Sequence, residues 1–336
     1  MKLECQKLCV SYNHTEMLHS ADFSVHDGEL VSLLGPSGCG KSTLLKTIAG
    51  LLPPDKGDIL MDGKSIHQLP PYQRRTVIVF QDLRLFPNMN VEENIAFPLK
   101  IQGVNTETRL KEARKLLEKV QLGDLGKRKI SQMSGGQLQR VALARALAAK
   151  PKVLLLDEPF SSLDESLRQN MRNLVVQLHK ELGIATVLVT HNPQEALMIS
   201  DRISVMFDGK IVQDDLARSL YQAPVNQSVA DYFGEASYIE GRVVNGFFES
   251  RVISFPAAHP DGNYKAMFRP TALRLGSERG EYEITRIEFL GEHCHITLQY
   301  LGIRLLLSVS TSEDLQMGRK VSVEFDTTRA VLFKNG

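Results

Sequence analysis

The stretch GPSGCGKST, residues 35–43, has the residue types and spacing of a phosphate-binding loop. Its glycines let the backbone wrap around phosphate oxygens, where amide groups and the N-terminus of a following helix supply positive potential. Lys41 is expected to reach the β- and γ-phosphates of a nucleotide, and the Ser42 hydroxyl is expected to bind Mg²⁺. The motif lies between the strand-like ELVSLL and the helical LLKTIAGL, a context that disfavours an ordinary glycine-rich turn. The predicted nucleotide contacts of this loop are Gly35, Pro36, Ser37, Gly38, Cys39, Gly40, Lys41, Ser42 and Thr43.

Two adjacent carboxylates end the hydrophobic stretch VLLLDEP. Asp157, at the end of the predicted strand, is placed to hold Mg²⁺, usually through water, and Glu158 is placed to polarise an attacking water. A buried strand of any protein can end in Asp-Glu-Pro, so this signal alone is moderate. It becomes strong because the same chain carries the phosphate loop.

A second glycine turn, MSGGQ at residues 133–137, opens a predicted helix but contains no lysine. It therefore cannot act alone as an ordinary phosphate-binding loop. The Ser134 hydroxyl and the amides of Gly135 and Gly136, at a helix N-terminus, can still form an anion site without a cation.

The elements that position these motifs change character near residue 235. Up to that point β-branched or leucine-rich runs alternate with helical periodicity, which predicts a mainly parallel sheet covered by helices. Asp62-Gly63 and Asp208-Gly209 predict hairpins, and residues 105–121 an amphipathic packing helix. Residues 236–336 read as short strands separated by turns, with Asn245-Gly246 the clearest hairpin, and predict a small all-β barrel or sandwich. The predicted domains are thus 1–235 and 236–336.

Composition excludes several classes of protein. A hydrophobic content of 43% and a net charge of +1 are typical of a soluble globular protein without a nucleic-acid footprint. The N-terminus has no apolar core of signal-peptide length, no stretch is long enough to span a bilayer, and four scattered cysteines fit a reducing cytosol.

The His-Cys-His stretch at 293–295 offers two ligands on one strand face, which do not close a metal site. We expect an ordinary strand with exposed histidines there.

Taken together, the motifs resemble those of the ATP-hydrolysing subunits of ABC transporters, over essentially the whole chain. The resemblance implies an α/β P-loop NTPase domain, with an ABC ATPase core, a β-subdomain and a helical subdomain, followed by a small all-β OB-like domain. MSGGQ resembles the signature loop of the family, which binds the γ-phosphate of ATP held by the other subunit. One phosphate loop and one signature loop per chain then imply a homodimer with two composite sites. Met133 replaces the usual leucine, a change close to volume-conserving and expected to have little effect.

The resemblance also implies roles for single residues. Tyr12 matches the aromatic residue that stacks on adenine, although it could instead pack in an N-terminal strand. Gln81 matches the glutamine that touches Mg²⁺ and water, and Asp164 lies in SSLD, which crosses the dimer interface in the family. His191 matches the switch histidine that contacts the γ-phosphate. Glu158 is expected to be the catalytic base and His191 to stabilise the transition state. In full, the expected catalytic residues are Glu158, His191, Gln81 and Lys41; the metal-binding residues are Ser42, Gln81 and Asp157; and the further nucleotide contacts are Tyr12, Ser134, Gly135, Gly136, Gln137 and Asp164.

The loop after Gln81 carries the apolar residues Leu85, Phe86 and Pro87. In the family this region receives a coupling helix from a membrane subunit, and an apolar loop tip is typical of a partner site. The alternative is a loop that packs onto its own helical subdomain.

The resemblance predicts an importer ATPase that uses ATP and Mg²⁺ at the cytoplasmic face of the inner membrane, as a peripheral protein. Its expected partners are a second copy, two integral membrane permease subunits and, through them, an extracytoplasmic solute-binding protein, with no nucleic acid. EGRV, FRPTALRL and FLGEHCHITL resemble the C-terminal domain of import-type ATPases, for a solute of the iron, polyamine, phosphonate or sugar class. That domain serves dimer contacts and sometimes regulation in the family.

Three alternatives remain. Exporter subunits carry the same ATPase motifs. A non-transport ABC ATPase acting on ribosomes or DNA usually has a second cassette, long coiled coils or a basic surface, none of which this sequence has. An oligonucleotide-binding β domain would need a denser mix of basic and aromatic residues than the tail contains.

Overall fold

The computed structural model describes residues 2–12, 15–276, 279–311 and 315–335. The chain divides into two compact units, Met1–Ala217 and Arg218–Gly336. The division lies before the boundary predicted at 235, because the two short helices ahead of that boundary bond to the β domain. Asp231 accepts a hydrogen bond from the hydroxyl of Tyr238, and Arg269 donates to the carbonyl oxygens of Tyr221 and Gly234.

The first unit contains ten strands and six α-helices among the described residues. The strands are β1 (Leu3–Tyr12), β2 (Thr15–Val25), β3 (Leu30–Leu34), β4 (Lys56–Met61), β5 (Lys64–Ser65), β6 (Thr76–Val79), β7 (Val153–Asp157), β8 (Ala185–Thr190), β9 (Arg202–Phe207) and β10 (Lys210–Leu216). The helices are α1 (Lys41–Ile48), α2 (Val91–Ile101), α3 (Thr106–Lys119), α4 (Gly135–Ala148), α5 (Glu165–Leu182) and α6 (Pro193–Ile199).

The central sheet has six strands in the order β10-β9-β3-β8-β7-β6. All neighbours are parallel except β10, which pairs antiparallel with β9. Strands β3, β7 and β8 are buried along their whole length, which explains their continuous hydrophobic sequence. The predicted, mainly parallel sheet is confirmed, and its carboxyl ends carry the loops that form the candidate site.

Two hydrophobic clusters cover the two faces of this sheet. Leu154 and Leu156 of β7 belong to a cluster with helices α2, α3, α4 and α5. Val153 and Leu155, which alternate with them, belong to a cluster with α1 and a second, antiparallel sheet of order β2-β1-β4-β5. The first cluster organises the helical subdomain and the antiparallel sheet is the β-subdomain, as the resemblance implied.

The local predictions for this unit are confirmed. Helix α3 begins after the N-cap Asn105 and buries Ala113 and Leu117, so it is the amphipathic helix that the periodicity indicates. Asp62-Gly63 joins β4 to β5 and Asp208-Gly209 joins β9 to β10, with φ between 45° and 75° at all four residues. These left-handed values are those that a two-residue hairpin turn requires.

The second unit begins within the short helix α7 (Ala217–Gln222), continues with α8 (Gln227–Tyr232), and then consists mainly of strands, with short 3₁₀ helices at Pro270–Ala272 and Thr327–Arg329. The strands are β11 (Ser237–Val244), β12 (Phe247–Glu249), β13 (Ser254–Pro256), β14 (Gly262–Phe268), β15 (Leu273–Leu275), β16 (Tyr282–Phe289), β17 (His293–Tyr300), β18 (Ile303–Ser310), β19 (Lys320–Val321), β20 (Val323–Phe325) and β21 (Val331–Lys334). They form three antiparallel sheets, β13-β12-β11-β14-β21, β18-β17-β16-β19 and β15-β20.

One hydrophobic core, which includes Phe248, Phe268 and Leu298, is shared by the strands of this second unit. Asn245-Gly246 forms the turn between β11 and β12, as its sequence indicates. The all-β prediction is confirmed, and the arrangement is consistent with an OB-like domain. Among the residues that the structure describes, no helix is both long and apolar enough to cross a membrane.

Candidate functional site

The phosphate loop lies between β3 and α1, where the chain itself requires glycine at two positions. A Cβ atom on Gly35 would lie 2.1 Å from the carbonyl oxygen of Met206. Gly40, with φ of 107°, would bring a Cβ within 2.7 Å of the carbonyl oxygen of Met17. Because both obstacles are backbone atoms, no side chain can be accommodated without moving the loop.

Lys41 turns back onto this loop. Its Nζ donates hydrogen bonds to the carbonyl oxygens of Gly35 and Pro36, both at 2.7 Å, and the residue is only 5% exposed. The ammonium thus lies within the loop that would surround a phosphate group.

Burial raises the pKa of the Cys39 thiol, while the nearby Lys41 opposes the shift. Cys39 is therefore a buried thiol and a poor nucleophile.

Ser42 and Asp157 meet, as their predicted roles require. The Ser42 hydroxyl donates to Oδ1 of Asp157 at 3.2 Å. Burial is the largest influence on this carboxyl group and raises its pKa; the adjacent charge of Glu158 raises it further, while the Ser42 hydrogen bond lowers it. A hydroxyl and a carboxylate oxygen are the hard oxygen ligands that Mg²⁺ prefers, and Mg²⁺ usually takes only one or two carboxylates from the protein. The residues present therefore fit the predicted metal.

Glu158 adopts a left-handed backbone conformation with φ of 47°, and its N–H donates to the carbonyl oxygen of Val189 at 3.0 Å. Its Oε1 lies 3.3 Å from Nδ1 of His191. This strained conformation costs of the order of 1 kcal/mol or more and directs the carboxylate into a site rather than along the strand. The expected catalytic base and the expected transition-state-stabilising histidine are therefore in direct contact.

Gln81 reaches the same group of residues through Ser161. Its Nε2 donates to Oγ of Ser161 at 3.1 Å, and Oγ of Ser161 in turn donates to the carbonyl oxygen of Glu158 at 3.1 Å. Ser161 was not among the predicted site residues, although it lies in the quoted SSLD segment. The only available signal was its position three residues after Glu158.

The signature loop is capped by its own residues. Ser134 is the N-cap of α4; its N–H donates to Oε1 of Gln137 at 3.0 Å, and its hydroxyl oxygen accepts from the N–H of Gln137 at 3.4 Å. A Cβ on Gly135 would meet no atom within 4 Å, and one on Gly136 would meet only Leu163 and Leu167 at an ordinary 3.8 Å. Among the described residues, no steric contact therefore requires glycine at these two positions. Met133 is buried in the helical-side core, in agreement with the expected packing role.

Asp164 and Tyr12 have different local surroundings. Oδ1 of Asp164 accepts from the N–H of Leu167 at 2.9 Å, so the side chain caps α5. Tyr12, at the end of β1, is 57% exposed and does not pack within the strand as the alternative required. Its ring is therefore accessible to a flat ligand on one face.

The loop after Gln81 has features of both interpretations. Leu85 packs on the helical-side core, the rings of Phe86 and Phe97 lie 4.4 Å apart, and Asn94 bonds both the N–H and the carbonyl oxygen of Phe86. The loop thus does rest on its own subdomain. A cleft of about 220 Å³ remains beside it, however, and is lined by Val77, Ile78, Val79, Arg84, Phe86, Phe97, Pro98, Ala142, Arg145, Ala146 and Ala149.

Arg145 of α4 was not predicted and holds this loop. Its guanidinium donates to the carbonyl oxygens of Leu83 and Arg84, both at 2.7 Å. Both of those residues have left-handed φ, 56° and 45°. A strained turn next to Gln81 is therefore fixed from the helix that starts at the signature loop.

His293 and His295 lie on β17, with ring centroids 5.3 Å apart, while Cys294 between them is buried on the opposite face. No cluster of three His, Cys, Asp or Glu side chains suited to a metal ion occurs among the described residues. His293 is exposed and His295 is half-buried on this strand.

Comparisons with known proteins agree with this geometry. The sequence model of the ABC transporter family matches residues 18–161. The chain is 36% identical over 317 residues to the Fe(3+) ions import ATP-binding protein FbpC of Vibrio cholerae, covering 92% of this chain and 90% of that protein. The chain belongs to the family of ATP-binding subunits of ABC importers. It is therefore an ATP-hydrolysing transport enzyme, and the importer interpretation is confirmed over the exporter and non-transport alternatives.

Two further relatives of this importer subunit are informative. The spermidine/putrescine import ATP-binding protein PotA of Ruegeria pomeroyi is 40% identical over 328 residues, 92% of this chain and 89% of that protein. A solved structure described as a dimeric, post-hydrolysis state of the ATP-binding cassette MJ0796 bound to ADP and Pi is 32% identical. It superposes with a TM-score of 0.59 and covers 64% of this chain and 99% of that chain.

Proposed function

We propose that this importer subunit powers uptake of ferric iron or a polyamine. The observation that carries the proposal is the similarity along about nine-tenths of the chain, including the C-terminal domain, to proteins named for import of Fe(3+) and of spermidine/putrescine. The solute does not pass through this chain, so its own residues act on ATP and on the membrane subunits.

The active form that we propose is a homodimer with two composite sites. In each site the phosphate loop of one copy holds ATP and the signature loop of the other copy faces the γ-phosphate. The dimeric MJ0796 structure supports this arrangement, and so does the open space at Gly135. The amides that begin α4 would supply positive potential without a cation.

Binding of ATP uses groups that the chain already holds in place. Lys41 exchanges the carbonyl oxygens of Gly35 and Pro36 for β- and γ-phosphate oxygens, and the exposed ring of Tyr12 stacks on adenine. Ser42 and Asp157, with Gln81, would hold Mg²⁺. When bound, that ion neutralises charge on the phosphate oxygens.

Hydrolysis follows from the contact between Glu158 and His191. The oxygen of a water molecule forms a bond to the γ-phosphorus while the bond to the β–γ bridging oxygen breaks, and the water proton passes to the Glu158 carboxylate. His191, 3.3 Å from that carboxylate, donates to the γ-phosphate oxygens as charge develops there. Gln81 and Ser161 orient the backbone of Glu158 through the hydrogen bond to its carbonyl oxygen.

Coupling to transport uses the cleft beside Phe86 and Phe97. Its apolar walls and two arginines, Arg84 and Arg145, fit a helix end of a permease subunit that presents carbonyl oxygens or carboxylates. The chain would thus work as a peripheral protein on the cytoplasmic face of the membrane. Two permease subunits and an external solute-binding protein complete the system.

The experiment is to tag the chain in its native cell, solubilise the membranes gently and identify the proteins that co-purify. We expect a multi-span permease and an extracytoplasmic binding protein, whose affinity for Fe(3+), spermidine and putrescine is then measured. Tight binding of one of the three supports the proposed solute class. A binding protein that takes none of them would contradict it, and ribosomal proteins without a permease would contradict the transport role.

A further inference from the structure

A small cavity lies beside Glu158 and His191, the proposed catalytic pair. Its volume is about 70 Å³, and Glu158 and His191 share its lining with Arg168 of α5 and Glu195 of α6. Neither Arg168 nor Glu195 has a role in the mechanism described above. Both are charged side chains that a protein places close to a reaction centre only at a cost in desolvation.

Arg168 connects this cavity to the segment that contains Asp164. One guanidinium nitrogen, Nη2, donates to the carbonyl oxygen of Leu163 at 3.0 Å, and Nη1 donates to the exposed carboxylate of Glu165 at 2.9 Å. Nε lies 3.7 Å from Oε1 of Glu195 and has no hydrogen-bond partner among the described residues. The contact with Glu195 is thus an ion pair without a hydrogen bond.

Glu195 connects the same ion pair to the loop that carries His191. It is 5% exposed, and its Oε2 accepts a hydrogen bond from the hydroxyl of Thr190 at 2.6 Å. The Thr190 hydroxyl oxygen in turn accepts from the N–H of Asn192 at 3.0 Å. Thr190 and Asn192 are the neighbours of His191 on either side, so Glu195 fixes the backbone from which the imidazole projects.

We propose that Arg168 and Glu195 are positioning residues for ATP hydrolysis. They link the Leu163–Asp164 segment to the loop of His191 and so hold the imidazole at its distance from Glu158. In the homodimer of the proposed function, on which this inference rests, Asp164 lies at the interface. The link then makes the position of His191 depend on the presence of the second copy.

The expected consequence is a loss of turnover without a loss of ATP binding. Glu195→Gln keeps the shape of the side chain but removes the charge that attracts Arg168, and Arg168→Met removes the guanidinium. We expect each variant to lower kcat by about 10- to 100-fold, the effect of a misplacement near 1 Å, with KM for ATP unchanged within about twofold. A side chain that only stabilises the fold would not produce this division between kcat and KM.

Two further variants make the test specific. Arg168→Lys keeps the charge but cannot bond Leu163 and face Glu195 together, so its kcat should lie between those of Arg168→Met and the parent. Glu165→Gln is the matched control, because it removes the ion pairs of Glu165 with Arg168 and Arg172 and leaves the link between Arg168 and Glu195 intact. Its kcat should equal that of the parent.

The double variant Arg168→Met, Glu195→Gln completes the experiment. All measurements use the full-length chain, and thermal unfolding is recorded for every variant. A shared function predicts that the double variant loses no more kcat than the worse single variant. Additive losses, parent-like kcat, a change confined to KM, or a lysine variant no better than methionine would overturn the proposal. If Arg168→Met does not fold, Glu195→Gln and Arg168→Lys carry the test.

Failure of this inference can be distinguished from failure of the proposed function. A parent chain that hydrolyses ATP, with a Glu158→Gln variant that does not, establishes the mechanism, and normal kcat in the Arg168 and Glu195 variants then rejects the positioning role alone. A parent chain that binds ATP and does not hydrolyse it, alone or with its permease, rejects the mechanism, and the positioning role falls with it.

Discussion

The phosphate loop and the signature loop are both glycine turns at the start of a helix, yet they differ in what makes glycine necessary. At Gly35 and Gly40 the obstacles are carbonyl oxygens of the same chain, between 2 and 3 Å from where a Cβ would lie. At Gly135 there is no obstacle, and at Gly136 only ordinary contacts. The first loop is shaped by its own domain, whereas the second has free space in front of it.

The polar groups of the two loops show the same difference. Lys41 bonds two carbonyl oxygens of its loop, and Ser42 bonds Asp157, so the groups that we propose to bind ATP are pre-assembled within the chain. The side chains of Ser134 and Gln137 each bond a backbone N–H of the other, within the first turn of the same helix. A pre-assembled half and an open half are what we expect of a site that two copies complete together.

The largest expected effect is on the rate of ATP hydrolysis, when the proposed base Glu158 is replaced. Glu158→Gln should lower kcat by about 10²- to 10⁴-fold, because the water loses its proton acceptor, while ATP binding is retained. Held in the ATP state, this variant should accumulate dimers, measured by size-exclusion chromatography with light scattering. Adding Gly135→Asp to it should abolish those dimers, since a carboxylate then faces the γ-phosphate. A normal ATPase rate in Glu158→Gln would exclude this residue as the base.

The ATP affinity of the isolated chain should depend on the phosphate loop and not on the signature loop. Lys41→Ala should weaken ATP binding by about 10- to 100-fold, because hydrogen bonds to charged groups contribute about 1.5–3 kcal/mol. Gly135→Asp, the control in the other loop, should leave the affinity of the isolated chain unchanged. Isothermal titration calorimetry measures both, and equal affinities for Lys41→Ala and the parent would count against the phosphate loop as the ATP site.

The free energy of unfolding should respond to the same substitution strongly in the phosphate loop and hardly at all in the signature loop. Gly35→Ala should lower the free energy of unfolding by about 2 kcal/mol or more, because the methyl group overlaps the carbonyl oxygen of Met206. Gly135→Ala should change it by less than about 0.5 kcal/mol, since the methyl group projects into open space. Urea unfolding checks both values. Comparable losses of unfolding free energy in the two variants would contradict the difference in steric surroundings between the two loops.

The smallest expected effect concerns the buried carboxylate. Because burial raises the pKa of Asp157, the folded chain holds this proton more tightly than the unfolded chain does. Stability associated with the protonated form is lost as pH rises from the unfolded pKa, about 3.9, through the higher folded pKa. Asp157→Asn should therefore stabilise the nucleotide-free chain by about 1 kcal/mol at neutral pH and by less in acid, while hydrolysis is lost. Urea unfolding at two pH values tests this, and a destabilised variant at neutral pH would contradict it.

The sequence predicted those parts of the site that follow each other along the chain. Spacing placed the phosphate loop between a strand and a helix, and Asp157 at the end of a buried strand, because these signals are local. Arg145, Ser161 and Arg168 were not predicted, since each acts through a residue distant in sequence or through a backbone carbonyl oxygen that composition does not reveal.

The same reason explains the difference at the domain boundary. Residues 217–232 have the helical pattern of the first unit, but their hydrogen bonds to Tyr238 and Arg269 place them with the second. Neither partner can be identified from periodicity. A change from helical periodicity to short strands along the sequence marks where the strands begin. A structural unit, in contrast, is defined by which groups contact and bond to each other.

The most direct test of the composite site combines two inactive chains in one dimer. Chains carrying Lys41→Ala and Gly135→Asp, with different tags, are co-expressed and the mixed dimer is purified through both tags. In it the intact phosphate loop of one copy faces the intact signature loop of the other, so one whole site is restored. We predict ATP hydrolysis well above that of either single-variant dimer, approaching about half the parent rate if the sites are independent. A mixed dimer that is as inactive as the two single-variant dimers would show that each chain contains its whole site. That result would contradict a site composed of two copies.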